Sequence, residues 1–298
     1  MGPFGVPGRA PGPGGSPIEW RAEAVGSGRV TVIEPSKGWR MPGGRELWAY
    51  RELLWVLVLR DIKVRYKQTA LGVLWVLIRP LSTMVLFTLI FGRLARIPSD
   101  GYPYAVFVFA ALIPWTFFAG AVGASGNSLV GSAGLINKIY FPRLIIPVAA
   151  VGSGLVDLAI SATFLLAVMP LLGASWSPNL LGAPVLLVAV LLIAIGVGSL
   201  FSALTVAYRD FGSILGYVLQ IWMYATPVIY PSSLIPEGWR WVLHANPMAA
   251  LIEGFRSAVL GKPFDLPALG VSFAMAAVIF VVGVAYFEKI ERRFADII

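Results

Sequence analysis

The chain has 298 residues, of which 58% are hydrophobic and only 13% charged, and its mean hydropathy is +0.80. A soluble chain carries about a quarter of its residues as charges to cover its surface, so much of this surface faces something other than water. Cysteine is absent and histidine occurs once, which excludes a disulfide framework, a cysteine nucleophile and the multi-histidine clusters of zinc enzymes. The net charge of +8 reads as Lys and Arg held in cytoplasmic loops of a membrane protein, with no nucleic-acid partner.

Residues 1–44 differ from the rest. Met1 to Pro17 is dominated by Gly and Pro and cannot bury enough apolar surface to offset its ordering entropy, so a flexible tail is expected. It lacks the apolar stretch of a secretory signal. Val30 to Pro35 suits a short extended piece that docks on a partner. Residues 45–69 follow as a helix with charges at both ends of an apolar middle. That middle, Leu53 to Leu59, is far short of the about 20 residues that cross a bilayer. Cations flanking Trp, Tyr and Leu suit an amphipathic helix in the headgroup plane; an ordinary helix packed on a soluble partner is the plain alternative.

Six runs are then long and apolar enough to span, near residues 70–91, 102–123, 144–169, 183–207, 211–230 and 268–287. The expected fold is all-α, with six transmembrane helices in one domain over residues 45–298. With the amino terminus inside, cytoplasmic segments hold twelve Lys and Arg against five outside, which puts both termini in the cytoplasm. The connection 231–267 is too apolar for a solvated loop, yet Pro and Gly break it into pieces too short to span. A re-entrant helical pair meets both conditions, since such backbone survives only against protein or a wet cavity. A small extracellular cap is the alternative.

The catalytic inventory is negative. Gly261-Lys262-Pro263 lacks both the upstream Gly and the following Ser or Thr of a phosphate-binding loop, and no serine-hydrolase elbow or zinc-protease motif occurs. His244 stands alone and reads as structural or solvated. Asp157 and Arg79 fall inside predicted spans, where charge is costly and needs a reason. Either they pair with each other or they line a wet path. Aromatics are plentiful: Trp75, Phe87 and Phe91 in the first span, Phe107, Phe109, Trp115, Phe117 and Phe118 in the second, Tyr217, Trp222, Tyr224 and Tyr230 in the fifth. Interfacial belts explain such residues, and so does a lining on which sugar rings stack; pattern does not separate the two.

The run Leu59 to Gly72 (LRDIKVRYKQTALG), continuing to Trp75 and Pro80-Leu81, resembles the amino-terminal signature of bacterial polysaccharide-export permeases of the type-2 ABC transporter class. Those are the membrane subunits of exporters for O-antigen, capsule and teichoic acid chains. Asn137-Lys138-Ile139-Tyr140-Phe141-Pro142-Arg143 resembles that family's loop between the second and third spans. Ala245-Asn246-Pro247-Met248 with Ile252-Glu253-Gly254-Phe255-Arg256 is similar to its re-entrant segment. The resemblance covers about residues 30–298. Arg79 departs from it, because a neutral polar residue such as Gln is the family's pattern there; the Gly/Pro-rich start also falls outside it.

The resemblance implies a homodimer, each copy bound to a separate ATP-binding cassette subunit, so that ATP and Mg sit in the partner and no cofactor in this chain. It implies an ATPase-coupling loop of Asn137, Lys138, Tyr140, Phe141, Pro142 and Arg143. It further implies a translocation path through Trp75, Arg79, Phe87, Phe107, Trp115, Tyr217, Trp222, Tyr224 and Tyr230, and a re-entrant gate with Asn246, Pro247, Glu253 and Arg256. The function so implied is export of a lipid-linked cell-surface polysaccharide across the bacterial inner membrane, by a transporter subunit and not an enzyme. A teichoic acid or lipid/drug exporter of the same build is the second reading, and a membrane-embedded transferase the rival from another class.

Overall fold

The computed structural model describes residues 48–67, 74–136 and 141–291. The expected tail 1–44, the start of the interface helix, and Asn137, Lys138 and Tyr140 lie outside the described residues. Among the described residues every regular element is a helix.

Helix α1 (Arg51–Lys67) buries Leu57 and Val58. Val58 presses on the backbone of Gly152, where an added Cβ would meet it at 3.1 Å. Its other side exposes Trp55, Val56 and Val64. α2 (Leu74–Phe87) contains Pro80 and continues without interruption as a π-helix, Thr88–Leu94. Wider π turns inside a helix bend it and are frequent at functional sites.

Helix α3 (Tyr104–Gly126) is the axis of the molecule. Its sequence is apolar all round and its residues are buried from Val106 nearly to the end, as expected of a helix enclosed by others. α2, α4 (Ile145–Val168), α5 (Ala183–Ala207) and α6 (Asp210–Ala225) all pack on it. The short α7 (Arg240–Ala245) leads into α8 (Pro247–Leu260), and α9 (Leu266–Glu291) closes the bundle against α5. The α5–α9 crossing is backbone on backbone: a Cβ on Gly283 would lie 2.0 Å from the Gly196 carbonyl oxygen, and one on Gly196 2.5 Å from that of Ile279. Apolar helices gain nothing from mutual hydrophobicity in lipid, so close approach over small residues is what holds them.

Among the described residues five helices are long and apolar enough to cross a membrane: Leu74–Leu94, Tyr104–Gly126, Ile145–Val168, Pro178–Ala207 and Leu266–Glu291. The expected fifth span at 211–230 is not among these five. Its helix, α6, has 16 residues and is about 24 Å long, against about 30 Å of hydrocarbon. The reason is Pro227, which disfavours helical backbone at the residue before it; Thr226 is extended, at φ −103° and ψ 140°.

The connection 231–267 is divided: residues 233–245 are largely exposed, Trp239 and Trp241 among them, whereas α8 is interior. α8 starts on Asn246, whose side chain accepts from the Met248 N–H, with Pro247 in its first turn, and it ends at Gly261 with φ +74°. Between these caps Met248, Leu251, Ile252 and Ala258 are fully buried, packed against α3, α5 and α9.

Candidate translocation surface and its supports

Helices α2 and α6 each turn one face to the core and leave the other uncovered. On α6, Leu215 and Leu219 are buried while Ser213, Tyr217, Gln220 and Tyr224 are exposed. Spacings of four, three and four residues put those four on one stripe. On α2 the uncovered residues include Trp75, Arg79, Ser82 and Leu86. Arg79 stacks on Trp75, with its guanidinium carbon 5.9 Å from the ring centre.

The other aromatics assigned to the path have different places. Phe107 and Trp115 are buried in the core, on the part of α3 that its neighbours cover. Phe87 packs edge-on to Phe91 at 5.5 Å. Trp222 meets Phe118 edge-on at 5.1 Å and donates its indole N–H to the Asn246 side-chain oxygen at 2.9 Å. The Tyr230 hydroxyl donates to the Tyr224 carbonyl at 3.0 Å.

The end of α6 is held by a polar network centred on Arg256, a fully buried arginine. Where the helix breaks, the carbonyls of Ala225, Pro227, Val228 and Ile229 need donors, and water is excluded. Asn246 donates to the Ala225 carbonyl at 3.2 Å and to the Thr226 hydroxyl at 2.9 Å. Arg256 donates to the carbonyls of Pro227 at 2.8 Å and Val228 at 3.1 Å, and the Tyr104 hydroxyl to that of Ile229 at 2.7 Å. Arg256 also reaches the Phe107 carbonyl at 3.2 Å and lies 3.7 Å over that ring. Glu253 balances its charge at 3.0 Å and accepts from the Ser232 N–H at 3.0 Å. Expected in a re-entrant gate with Asn246, Pro247 and Glu253, Arg256 is fully buried and holds the backbone at the break.

Beyond α8, Lys262 bridges to Asp100 at 2.8 Å and sits 4.9 Å over the Tyr102 ring. Ser233 donates to the other Asp100 oxygen at 3.1 Å. Partial burial pushes the Asp100 carboxyl up, but the hydrogen bonds from Lys262 and Ser233 and the charges of Lys262 and Arg256 outweigh it, leaving it below its ordinary value.

At the α1 end of the bundle, Asp157 does not pair with Arg79. It accepts from Arg65 at 2.5 Å and from the Tyr66 hydroxyl, and Arg65 also reaches the Ser153 hydroxyl at 3.2 Å. Nearby, Phe141 is buried in a satellite core with Leu57, Leu144 and Phe287. The backbone N–H of Arg143 donates to the Glu291 carboxylate at 2.8 Å, and its side chain donates to the Glu291 carbonyl at 3.2 Å. The loop from α3 to α4 is thereby tied to the end of α9. Among the described residues no group of acidic or histidine side chains could hold a metal ion.

A family model described as ABC-2 type transporter matches residues 52–260. The chain belongs to the ABC-2 type transporter family. It is 30% identical over 253 residues to an O-antigen export system permease protein RfbA of Klebsiella pneumoniae, covering 83% of this chain and 95% of the relative. To the protein of that name from Myxococcus xanthus it is 28% identical, covering 85% and 97%. To the polysialic acid transport protein KpsM of Escherichia coli it is 23% identical, covering 68% and 80%. The part of this ABC-2 chain that the family model matches runs from α1 to the end of α8, and so includes the loop 137–143 and the whole Arg256 network.

Proposed function

We propose that the chain is the permease subunit of an ABC exporter that carries a cell-surface polysaccharide, lipid-linked and of O-antigen or capsule type, across the cytoplasmic membrane. The observation that carries this reading is the uncovered stripe of Ser213, Tyr217, Gln220 and Tyr224 opposite a buried apolar face on α6. A lipid-facing helix has no use for such a stripe, whereas hydroxyls, an amide and flat rings suit sugars, which offer hydroxyls at their edges and apolar faces. The export function named for the relatives supports it.

In this reading two copies assemble with their α2 and α6 faces toward one another and enclose the path. The sixth crossing is completed by α6 together with the turn and bend residues 226–230. α7 and α8 re-enter the membrane without crossing it, both termini are cytoplasmic, and α1 lies along the inner leaflet. Separate ATP-hydrolysing subunits seat on Asn137 to Arg143, where Phe141 is rooted in the satellite core and Arg143 in the end of α9. ATP binding then shifts the dimer between closed and open states, by as much as it favours one over the other.

Affinity purification of the chain at native expression tests the assembly: an ATP-binding subunit should come with it in equal amount, and a chain that moves substrate alone would refute the reading. Replacing Tyr140 and Phe141 with Ala should lower polysaccharide-dependent ATP hydrolysis at least tenfold. Unchanged export would remove that loop from the coupling.

A further inference from the structure

Several charged groups lie on the helices of the bundle, among them Asp157, Arg256 and Arg79, with Arg93 near the end of the same span as Arg79, and they are not treated alike. Asp157 is matched by Arg65 and Tyr66. Arg256 is matched by Glu253 and three backbone carbonyls. Arg79 is not: among the described residues its guanidinium meets no carboxylate and no carbonyl, only the Trp75 ring. Its polar neighbours are already occupied, since the hydroxyls of Ser82 and Thr83 both donate back to the Arg79 carbonyl, at 2.9 and 3.0 Å. A guanidinium presents five fixed N–H donors and no acceptor, and stacking on an indole satisfies its face while leaving those donors free at the edge. Such a group within a span calls for an acceptor from outside the chain.

Resting on the export reading above, we infer that Arg79, beside the Trp75 ring at 5.9 Å, is an anion contact on the translocation face, and that the exported glycan bears carboxylate or phosphate groups. Both residues lie on the uncovered side of α2. Arginine suits the task because its fork matches the two oxygens of either acid. The phosphate of a lipid headgroup is the competing source of the same chemistry. The glycan is favoured because Arg79 shares its helix face with Trp75 and Ser82, a set suited to sugars.

The test uses the full chain in nanodiscs of phosphatidylcholine alone, with fluorescent trisialic acid as the acidic probe and maltotriose as the neutral one. The wild type should bind the acidic probe about tenfold more tightly than the neutral one, the size of one charge-assisted contact. R79Q should abolish that preference without weakening maltotriose binding, and R79K should keep part of it. Equal binding of the two probes by the wild type, or a preference that survives R79Q, overturns the inference while leaving neutral-glycan export standing. Binding of neither probe overturns it too, and removes the glycan reading with it. In discs containing phosphatidylglycerol, loss of co-purifying anionic lipid from R79Q, with the sugar preference intact, would assign Arg79 to the headgroup instead.

Discussion

Arg256 Nη2 lies 2.8 Å from the carbonyl oxygen of Pro227, a residue 29 positions earlier in the chain. One charged side chain from α8 thereby closes a gap that a proline opens at the end of α6.

Removing that side chain leaves Glu253 and several carbonyls stranded in the core. Arg256→Met is expected to cost about 3–5 kcal/mol, the range for breaking a buried pair from one side. Thermal unfolding in detergent reads it directly. Arg256→Lys should fare nearly as badly, because one ammonium cannot span the Phe107, Pro227 and Val228 carbonyls. Combining Arg256→Met with Glu253→Gln should recover part of the loss, and a double variant as poor as the single would show that charge balance contributes little.

The α5–α9 seam predicts a contrast between two glycines of one helix. Gly283→Ala puts a methyl 2.0 Å from the Gly196 carbonyl oxygen, whereas a Cβ on Gly270 meets nothing within 4 Å. The first should destabilise by about 1–3 kcal/mol, the usual cost of overpacking; the second should be neutral or mildly stabilising. Melting temperatures of the two variants, measured side by side, check this, and equal values would refute the close approach.

A double-mutant cycle on Arg65 and Asp157 should give a coupling of about 1 kcal/mol. The value is modest because both side chains remain about one-third exposed, at 37% and 32%, and solvent screens such pairs. Additive effects of Arg65→Gln and Asp157→Asn on the melting temperature would show that the contact does not hold α1 to α4.

Asp100 makes a prediction about pH. Its folded value lies below the ordinary carboxylate value, so its contribution to stability is complete above the unfolded pKa of about 3.9 and is lost as pH falls through the folded one. The melting temperature of the wild type should exceed that of Asp100→Asn by a constant margin from pH 7 to pH 5, and the margin should shrink below about pH 4. A margin that widens on acidification would reverse the assignment.

Much of the bundle was legible because lipid leaves the chain few choices. Apolar runs of spanning length had to be helices, and α5 occupies the expected residues 183–207. For α6 composition and helix part company: the apolar run goes on to Tyr230, but the helix stops at Ala225, before the Thr226-Pro227 step. The partners of Arg256 and Asp157 were beyond reach for a different reason. Their acceptors and donors are set by how α8 meets α3 and how α1 meets α4, across up to 149 residues, and a backbone carbonyl leaves no mark on composition. Trp75, Tyr217 and Tyr224 were found as aromatics, but only the packing of α2 and α6 separates them from Phe107 and Trp115, which the same pattern included.

The glycine seam also bears on how the protein is made. Ile279 and Gly283, the partners of Gly196, come 83 and 87 residues after it, so at about 5–20 residues per second the ribosome needs about 4–17 s to supply them. During that interval α5 offers a bare strip of backbone to whatever surrounds it. A nascent chain interrupted before α9 would keep that strip uncovered, and quality-control proteases that search the bilayer for unfinished clients would have a fixed place to find it.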